Sequence, residues 1–372
     1  MKSLPDVNPG IVASQPLPTP AALAAELALD AAGAAFVARS RRWVEDILAG
    51  RDDRLLVVVG PCSIHDPAAA LDYADRLCGA AERHAEELCV IMRAYVEKPR
   101  TQVGWKGLIL DPRLDGSLQV DRGLRLARRL LLDLVGRRLP AAAEFLDPTL
   151  GQYYADLVTW GAIGARTVES QLHRALASGL PLSVGFKNRT DGDLQVAIDG
   201  LLAARIPHTF ASVTRHGVPA MLTTSGNDRG HLVLRGGTRG PNYTAAHVAS
   251  AAEMLQAAGA PPRLIVDCSH GNSRRDPARQ PAVAADIATQ VAAGQRAIVG
   301  VMLESSLVGG AQDPRRPPLV YGRSVTDPCL GWKETVPVLA KLAAAVKARR
   351  ATQDVRPAQP GAGGAAPLAL RG

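Results

Sequence analysis

From Leu55 onward the chain repeats one unit: a short apolar run that stops at a charged or metal-capable residue, then a helix-length stretch. Leu55–Val59 leads to Cys62, Val90–Met92 to Arg93 and Ala141–Ala143 to Glu144. Ala162–Ala165 leads to Arg166, Leu182–Phe186 to Lys187, Leu264–Val266 to Asp267 and His270, and Ile298–Leu303 to Glu304. A parallel strand buried on both faces reads as a near-continuous apolar run, and the loops that follow such strands share one rim. The pattern therefore brings distant Arg, Lys, Cys, His and Glu side chains together.

Helices are predicted over Ala31–Leu48, Pro67–Glu87, Arg122–Leu134, Leu150–Trp160, Ser170–Ser178, Gly192–Ala204, Ala245–Ala258, Ala278–Ala293 and Lys333–Arg349. Asp66-Pro67 and Asp147-Pro148 place a proline just inside a helix start. With Phe210–Val213 as a sixth strand the count is eight, which predicts an α/β fold, a TIM (β/α)8 barrel, because parallel strands need crossover helices. His216–Tyr243 is too long for a simple loop. It reads as an inserted β-hairpin after strand 6, containing Leu232–Leu234 and reaching over the barrel mouth. The predicted organisation is an N-terminal extension and helix over 1–50, a barrel over 51–350 and a disordered Pro/Gly/Ala tail over 351–372.

Composition narrows the function. No apolar run reaches about 18 residues, so no membrane span or membrane partner is predicted. Met1–Pro20 lacks the basic-then-apolar layout of a secretory signal, which points to the cytoplasm. Five cysteines, an odd number without a CxxC pair, argue against a disulfide framework or a zinc ribbon. The net charge of +8 raises nucleic acid, but much of it lies on helix faces and in the tail. Four Trp, six Tyr and four Phe are too few and too scattered for base stacking. No nucleic-acid partner is expected.

Two groups of residues carry chemistry. Cys62, His270, Glu304 and Asp327 combine a soft sulfur, an imidazole and two hard carboxylates, a set suited to a borderline divalent ion. Taken singly, each also fits a bland role: a buried apolar cysteine, a satisfied loop histidine, a helix cap. The second group is Arg93, Lys98, Arg100, Arg166, Lys187 and Arg235. Arg93, Arg166 and Lys187 directly end apolar runs, where a charge is costly unless paired. Such cations suit phosphate and carboxylate groups, so the substrates should carry several negative charges.

These residues lie in a dense series of motifs: GPCSIHD at Gly60–Asp66, EKPRT at Glu97–Thr101, VGWKG at Val103–Gly107 and GAIGART at Gly161–Thr167. GFKN follows at Gly185–Asn188, LRGG at Leu234–Gly237, SH at Ser269–His270, VMLES at Val301–Ser305 and TDPCLGW at Thr326–Trp332. From about Asp52 to Arg350 the chain resembles class I, feedback-regulated 3-deoxy-D-arabino-heptulosonate 7-phosphate (DAHP) synthases. The resemblance implies condensation of phosphoenolpyruvate with erythrose 4-phosphate, giving DAHP and phosphate at the first step of the shikimate pathway.

It also implies one divalent metal (Mn, Fe, Co or Zn) on Cys62, His270, Glu304 and Asp327, polarising the aldehyde as a Lewis acid. Arg93, Arg166, Lys187 and Arg235 would hold phosphoenolpyruvate, and Arg100 and Thr101 the aldose phosphate. Lys98 would donate a proton, and Glu144 would serve the phosphate and water network. Ser306, Gly309, Gln102 and Leu110 depart from the family pattern but are not implied ligands. Cys329, two residues from Asp327, is expected near Cys62.

The family branch further implies inhibition by an aromatic amino acid at a cavity on the side of the barrel. Pro148, Gln152, Leu176, Leu180, Pro181, Phe210 and Ser212 occupy the matching region, and Pro148 favours tyrosine. The 1–50 extension would then serve regulation and oligomerisation, in a homo-dimer or homo-tetramer. Its leader Asp6–Val12 departs from the acidic-apolar start common in the branch. Two other readings stand beside this one. A sister synthase using arabinose 5-phosphate is disfavoured by KPRT at Lys98–Thr101. A non-catalytic effector-binding barrel is disfavoured by the intact metal and phosphate positions.

Overall fold

The apolar runs are strands buried on both faces. The structure, a computed structural model, describes residues 10–11, 13–100 and 104–354. The expectations for Thr101, for Asp6–Pro9 and Val12 of the leader, and for 355–372 of the tail lie outside these residues. Two helices, α1 (Pro20–Glu26) and α2 (Ala31–Ala49), precede β1 (Leu55–Gly60). Then come α3 (Pro67–Arg83), β2 (Leu88–Arg93), α4 (Val120–Gly136), β3 (Ala141–Glu144), β4 (Trp160–Ile163), α5 (Gln171–Gly179), β5 (Ser183–Lys187) and α6 (Gln195–Arg205). A hairpin of β6 (Thr209–Val213) and β7 (Pro219–Thr223) follows. The remaining barrel elements are β8 (Gly230–Leu234), α7 (Ala245–Ala257), β9 (Leu264–Asp267), α8 (Gln280–Ala292), β10 (Ile298–Glu304) and α9 (Trp332–Asp354).

Strands β1, β2, β3, β4, β5, β8, β9 and β10 close into an all-parallel barrel, with β10 pairing back onto β1. Alternate side chains divide between two apolar layers, as the pleat requires. Leu56 and Val58 point inward with Ile91, Trp160, Val233, Ile265 and Met302, while Leu55, Val57 and Val59 pack outward against the helices. Val44 and Ile47 of α2 join the inner layer and plug the end where the strands begin. His231 also lies inside. Burial lowers its pKa to about 4, and the neutral ring accepts from Trp160 Nε1 at 3.1 Å. The opposite end is left for chemistry.

Two expectations need correction. Phe210–Val213 is not the sixth barrel strand: it belongs to β6, pairs antiparallel with β7 and is only partly buried. The sixth strand is β8, which contains Leu232–Leu234 and is buried along nearly its whole length between β5 and β9. The hairpin therefore precedes that strand, and its place between α6 and β8 puts it at the plugged end, not over the mouth. There Ala21 N donates to Arg215 O at 2.8 Å, and Gln152 Nε2 donates to Val213 O at 2.7 Å, tying the hairpin to α1 and to the β3–β4 crossover.

That crossover is two 3-10 turns, Leu150–Tyr153 and Ala155–Leu157, instead of a helix over Leu150–Trp160. Asp147 caps the first turn through Thr149 N and Leu150 N, and Trp160 already belongs to β4. Among the described residues no single helix is long and apolar enough to cross a membrane.

Candidate active site

At the C-terminal end of the barrel a cavity of about 540 Å³ is lined by Lys98, Arg100, Glu144, Arg166, Lys187, Arg235, His270, Glu304 and Asp327. All nine were expected from strand ends and the loops beyond them. Barrel geometry explains the convergence, because side chains at the ends of different strands face one opening.

The metal-ligand set assembles from four separate segments. Cys62 Sγ and carboxylate oxygens of Glu304 and Asp327 lie within 4.8 Å of one another. His270 Nε2 stands 3.5 Å from Glu304 Oε1. The other ring nitrogen, Nδ1, lies 2.8 Å from Asp267 Oδ2 and 2.8 Å from Ser269 Oγ. Nδ1 is thus occupied by Ser269 and Asp267, which leaves Nε2 toward the cluster, the second-layer support that metal-binding histidines use. Burial, reinforced by Glu304, pushes the Cys62 thiol up to about 12, so a bound cation must displace its proton. Donor types and spacing fit a divalent ion. Lys98 Nζ reaches the same group, 2.8 Å from Cys62 Sγ and 3.0 Å from Asp327 Oδ2. Burial alone would raise the Asp327 pKa, but Lys98 holds that carboxyl below the usual carboxylate range.

The cations divide by depth. Arg166 and Arg100 are exposed at the rim. Lys187 and Arg235 are buried in the wall. Arg93 lies beneath the floor at 1% exposure and does not line the cavity. Its Nη2 donates to Glu304 Oε1 at 3.0 Å, and its guanidinium lies 4.0 Å from the Tyr95 ring centroid. A cation held against an aromatic face and a carboxylate is compensated for its desolvation.

Glu144 sits at the end of β3, and Gly164 faces it. A Cβ on Gly164 would collide with Glu144 Oε1, so the glycine makes room for this carboxylate. Three further residues take part to which sequence reasoning gave no role. Asp267 joins His270 to Lys187, whose Nζ is 3.4 Å from Oδ2. Burial would raise its pKa, yet His270 and Lys187 hold its carboxyl well below the usual range. Its place directly after the apolar run Leu264–Val266 was the available signal. Tyr95 and Glu97 carried no such signal, since their roles depend on what packs above them. Glu97 accepts from Tyr154 Oη at 2.6 Å and from Asp147 N at 3.1 Å, and burial pushes its carboxyl up to about 7.

The profile of the DAHP synthetase I family matches residues 28–340. The chain belongs to that family. It is 56% identical over 315 residues to the Phe-sensitive phospho-2-dehydro-3-deoxyheptonate aldolase of Escherichia coli K12, covering 84% of this chain and 90% of the relative. It is 50% identical over 337 residues to the Tyr-sensitive enzyme of Salmonella typhimurium, covering 90% and 94%. The phospho-2-dehydro-3-deoxyheptonate aldolase structure from Francisella tularensis superposes with a TM-score of 0.90 at 50% identity, covering 91% of this chain and 99% of that one.

In this member of the DAHP synthetase I family a second cavity, of about 720 Å³, opens on the side of the barrel. Pro148, Gln152, Leu176, Leu180, Pro181, Phe210 and Ser212 all line it, together with Val37, Ala38 and Arg41 of α2. It lies where the N-terminal helix, the 3-10 crossover and the hairpin meet. Cys329 is beside Cys62, with Cys62 N donating to its Sγ at 3.4 Å.

Proposed function

We propose that the chain condenses phosphoenolpyruvate with erythrose 4-phosphate, with the residues of the 540 Å³ cavity dividing the work. One observation carries this reading: His270, Glu304 and Asp327, with Cys62 buried just behind them, and a wall of Arg and Lys side chains meet at the same cavity. Cys62, His270, Glu304 and Asp327 would hold one divalent ion, and their mixed donors accept Mn, Fe, Co or Zn. When bound, that ion supplies Lewis-acid polarisation of the aldehyde carbonyl.

Arg166, Lys187 and Arg235 take the phosphate of phosphoenolpyruvate, while Arg93 presents its charge to the carboxylate from beneath. Arg100 and Thr101 take the phosphate of the aldose, which orients its aldehyde toward C3 of the enol. As the C3–C1 bond forms, Lys98 passes a proton to the oxygen that had been the aldehyde carbonyl. Water then adds to C2 and gives up its proton toward Glu144. The C2–O bond to phosphorus breaks as the C2 ketone forms, and inorganic phosphate leaves. Orientation and preset charge supply most of the acceleration in such a site.

The side cavity is read as the seat of an aromatic amino-acid inhibitor. Its apolar lining suits a ring, Gln152 and Arg41 suit the polar end, and Pro148 favours tyrosine. Assembly into a homo-dimer or homo-tetramer belongs to the same proposal. Phosphoenolpyruvate loss measured with erythrose 4-phosphate or arabinose 5-phosphate, each with and without chelator, tests the chemistry. Loss with erythrose 4-phosphate alone, abolished by chelator and restored by Mn, is the expected result. Turnover with arabinose 5-phosphate instead would overturn the choice of aldose. Separate titrations of Phe, Tyr and Trp test the inhibitor, and no inhibition by any of them would remove the regulatory reading.

A further inference from the structure

Beside the active cavity lies another, of about 490 Å³, formed by the loops that follow β5, β8 and β9. The two share a wall of Thr190, Arg235 and Arg275, and the second adds Arg239 and Arg274. Four guanidinium groups thus face one space whose lining contains no carboxylate. Arg235 is 6% exposed, and among the described residues no carboxylate lies within ion-pair distance of Arg235, Arg274 or Arg275. Arg239 reaches Asp191 at 3.3 Å, but Arg189 already holds that carboxylate at 2.6 Å. Arg235 is buried without a counter-charge, which is costly, while Arg239, Arg274 and Arg275 are exposed around the opening, so the space offers an anion one desolvated cation and three at its mouth.

The backbone supports this. Arg274 and Arg275 are consecutive residues in the left-handed region, at φ 53° and 61°. Non-glycine residues persist there only where their surroundings fix them, commonly at ligand sites. The loops are also pressed together: a Cβ on Gly271 would lie 2.5 Å from Gly237 N, and one on Gly237 would strike the backbone of Gly192. Glycine at both positions keeps the floor of the cavity closed and its mouth clear.

We propose that this cavity is a second phosphate site, which receives inorganic phosphate after it leaves C2. The inference rests on the condensation reading above. Phosphate freed among Arg166, Lys187 and Arg235 is a multiply charged anion held by three cations. Passing first to a neighbouring site that shares Arg235 lets it leave without losing all its counter-charge at once.

The test is calorimetric titration of inorganic phosphate into the metal-free full chain already saturated with phosphoenolpyruvate. Saturation is established beforehand by titrating phosphoenolpyruvate in the same cell, so failure of substrate binding is seen separately as failure of the condensation reading. Phosphate is expected to bind beyond any taken by the vacant aldose seat at Arg100, and this share to bind at least tenfold more weakly in Arg239→Ala/Arg274→Ala, with phosphoenolpyruvate affinity in that variant unchanged within twofold. Arg100→Ala, which disables the aldose seat, should leave one phosphate bound per chain. No phosphate uptake by the saturated chain, or uptake lost in Arg100→Ala and kept in the double variant, would overturn the proposal.

Discussion

Asp267 does not line the active cavity, yet its carboxylate meets both His270 Nδ1 and Lys187 Nζ, at 2.8 and 3.4 Å. Replacing it with Asn keeps the shape and removes the charge that orients the imidazole. Asp267→Asn should weaken metal affinity roughly 10- to 100-fold, measured by competition with a fluorescent chelator. Unchanged affinity would mean that His270 is held by Ser269 alone. Gly164 poses a steric problem instead. Gly164→Ala brings a methyl group onto Glu144 Oε1 and displaces that carboxylate. The barrel should survive, with kcat reduced on the order of 100-fold, since small misplacements of a positioned group cost about that much. A kcat within twofold of the parent, at equal thermal stability, would show that the position of Glu144 does not matter. At this scale the sequence indicated which residues meet, because strand ends in a barrel must. It did not indicate depth: Arg93 ends β2 and is buried against Tyr95 and Glu304, whereas Arg166, in the loop after β4, is exposed at the rim.

The elements that mislead are the short ones. Thr209–Val213 has strand-forming residues and follows a helix closely, so it resembles the next barrel strand. Gly230–Leu234 opens with Gly and His, which resembles a turn, and only the barrel interior that buries His231 makes it a strand. The 3-10 crossover is a comparable case: its contacts with distant elements, among them the bond from Tyr154 to Glu97, replace a regular helix. That bond makes a pH-dependent link between β2's loop and the crossover. Glu97 has an ordinary value of 4.5 and a folded value of about 7, so the folded chain binds more protons between them. Its contribution to stability is complete below about 4.5 and is lost as pH rises through 7. The stability advantage of the parent over Glu97→Gln should therefore shrink by about 2 kcal/mol between pH 5 and pH 7.5. Urea unfolding of both proteins at the two pH values measures it, and a constant difference would refute the assignment.

At the scale of the whole molecule the metal-ligand set is distributed in a telling way. Cys62 follows the first barrel strand, Glu304 ends the last, His270 follows β9, and Asp327 lies in the segment leading to the closing helix α9. A closed barrel has one seam where the beginning of the chain meets its end, here β1 against β10. An ion held by this set would sit above that seam and tie its two sides together. Ligands so far apart in sequence are brought together only by folding, so an ion bound here favours the native state over the unfolded chain. At about 100 times its dissociation constant, one ion adds roughly 2.7 kcal/mol to stability. The chelator-stripped chain should melt a few degrees below the Mn-loaded one, and Asp327→Asn should shrink that gap. Asp327 pairs with Lys98 in the absence of metal, so the variant also loses an ion pair. The comparison must therefore be the gap between loaded and stripped forms within each protein, which cancels that loss. Equal gaps in parent and variant would remove Asp327 from the ligand set, and no gap in the parent would mean that the folded chain does not bind the ion in preference to the unfolded one.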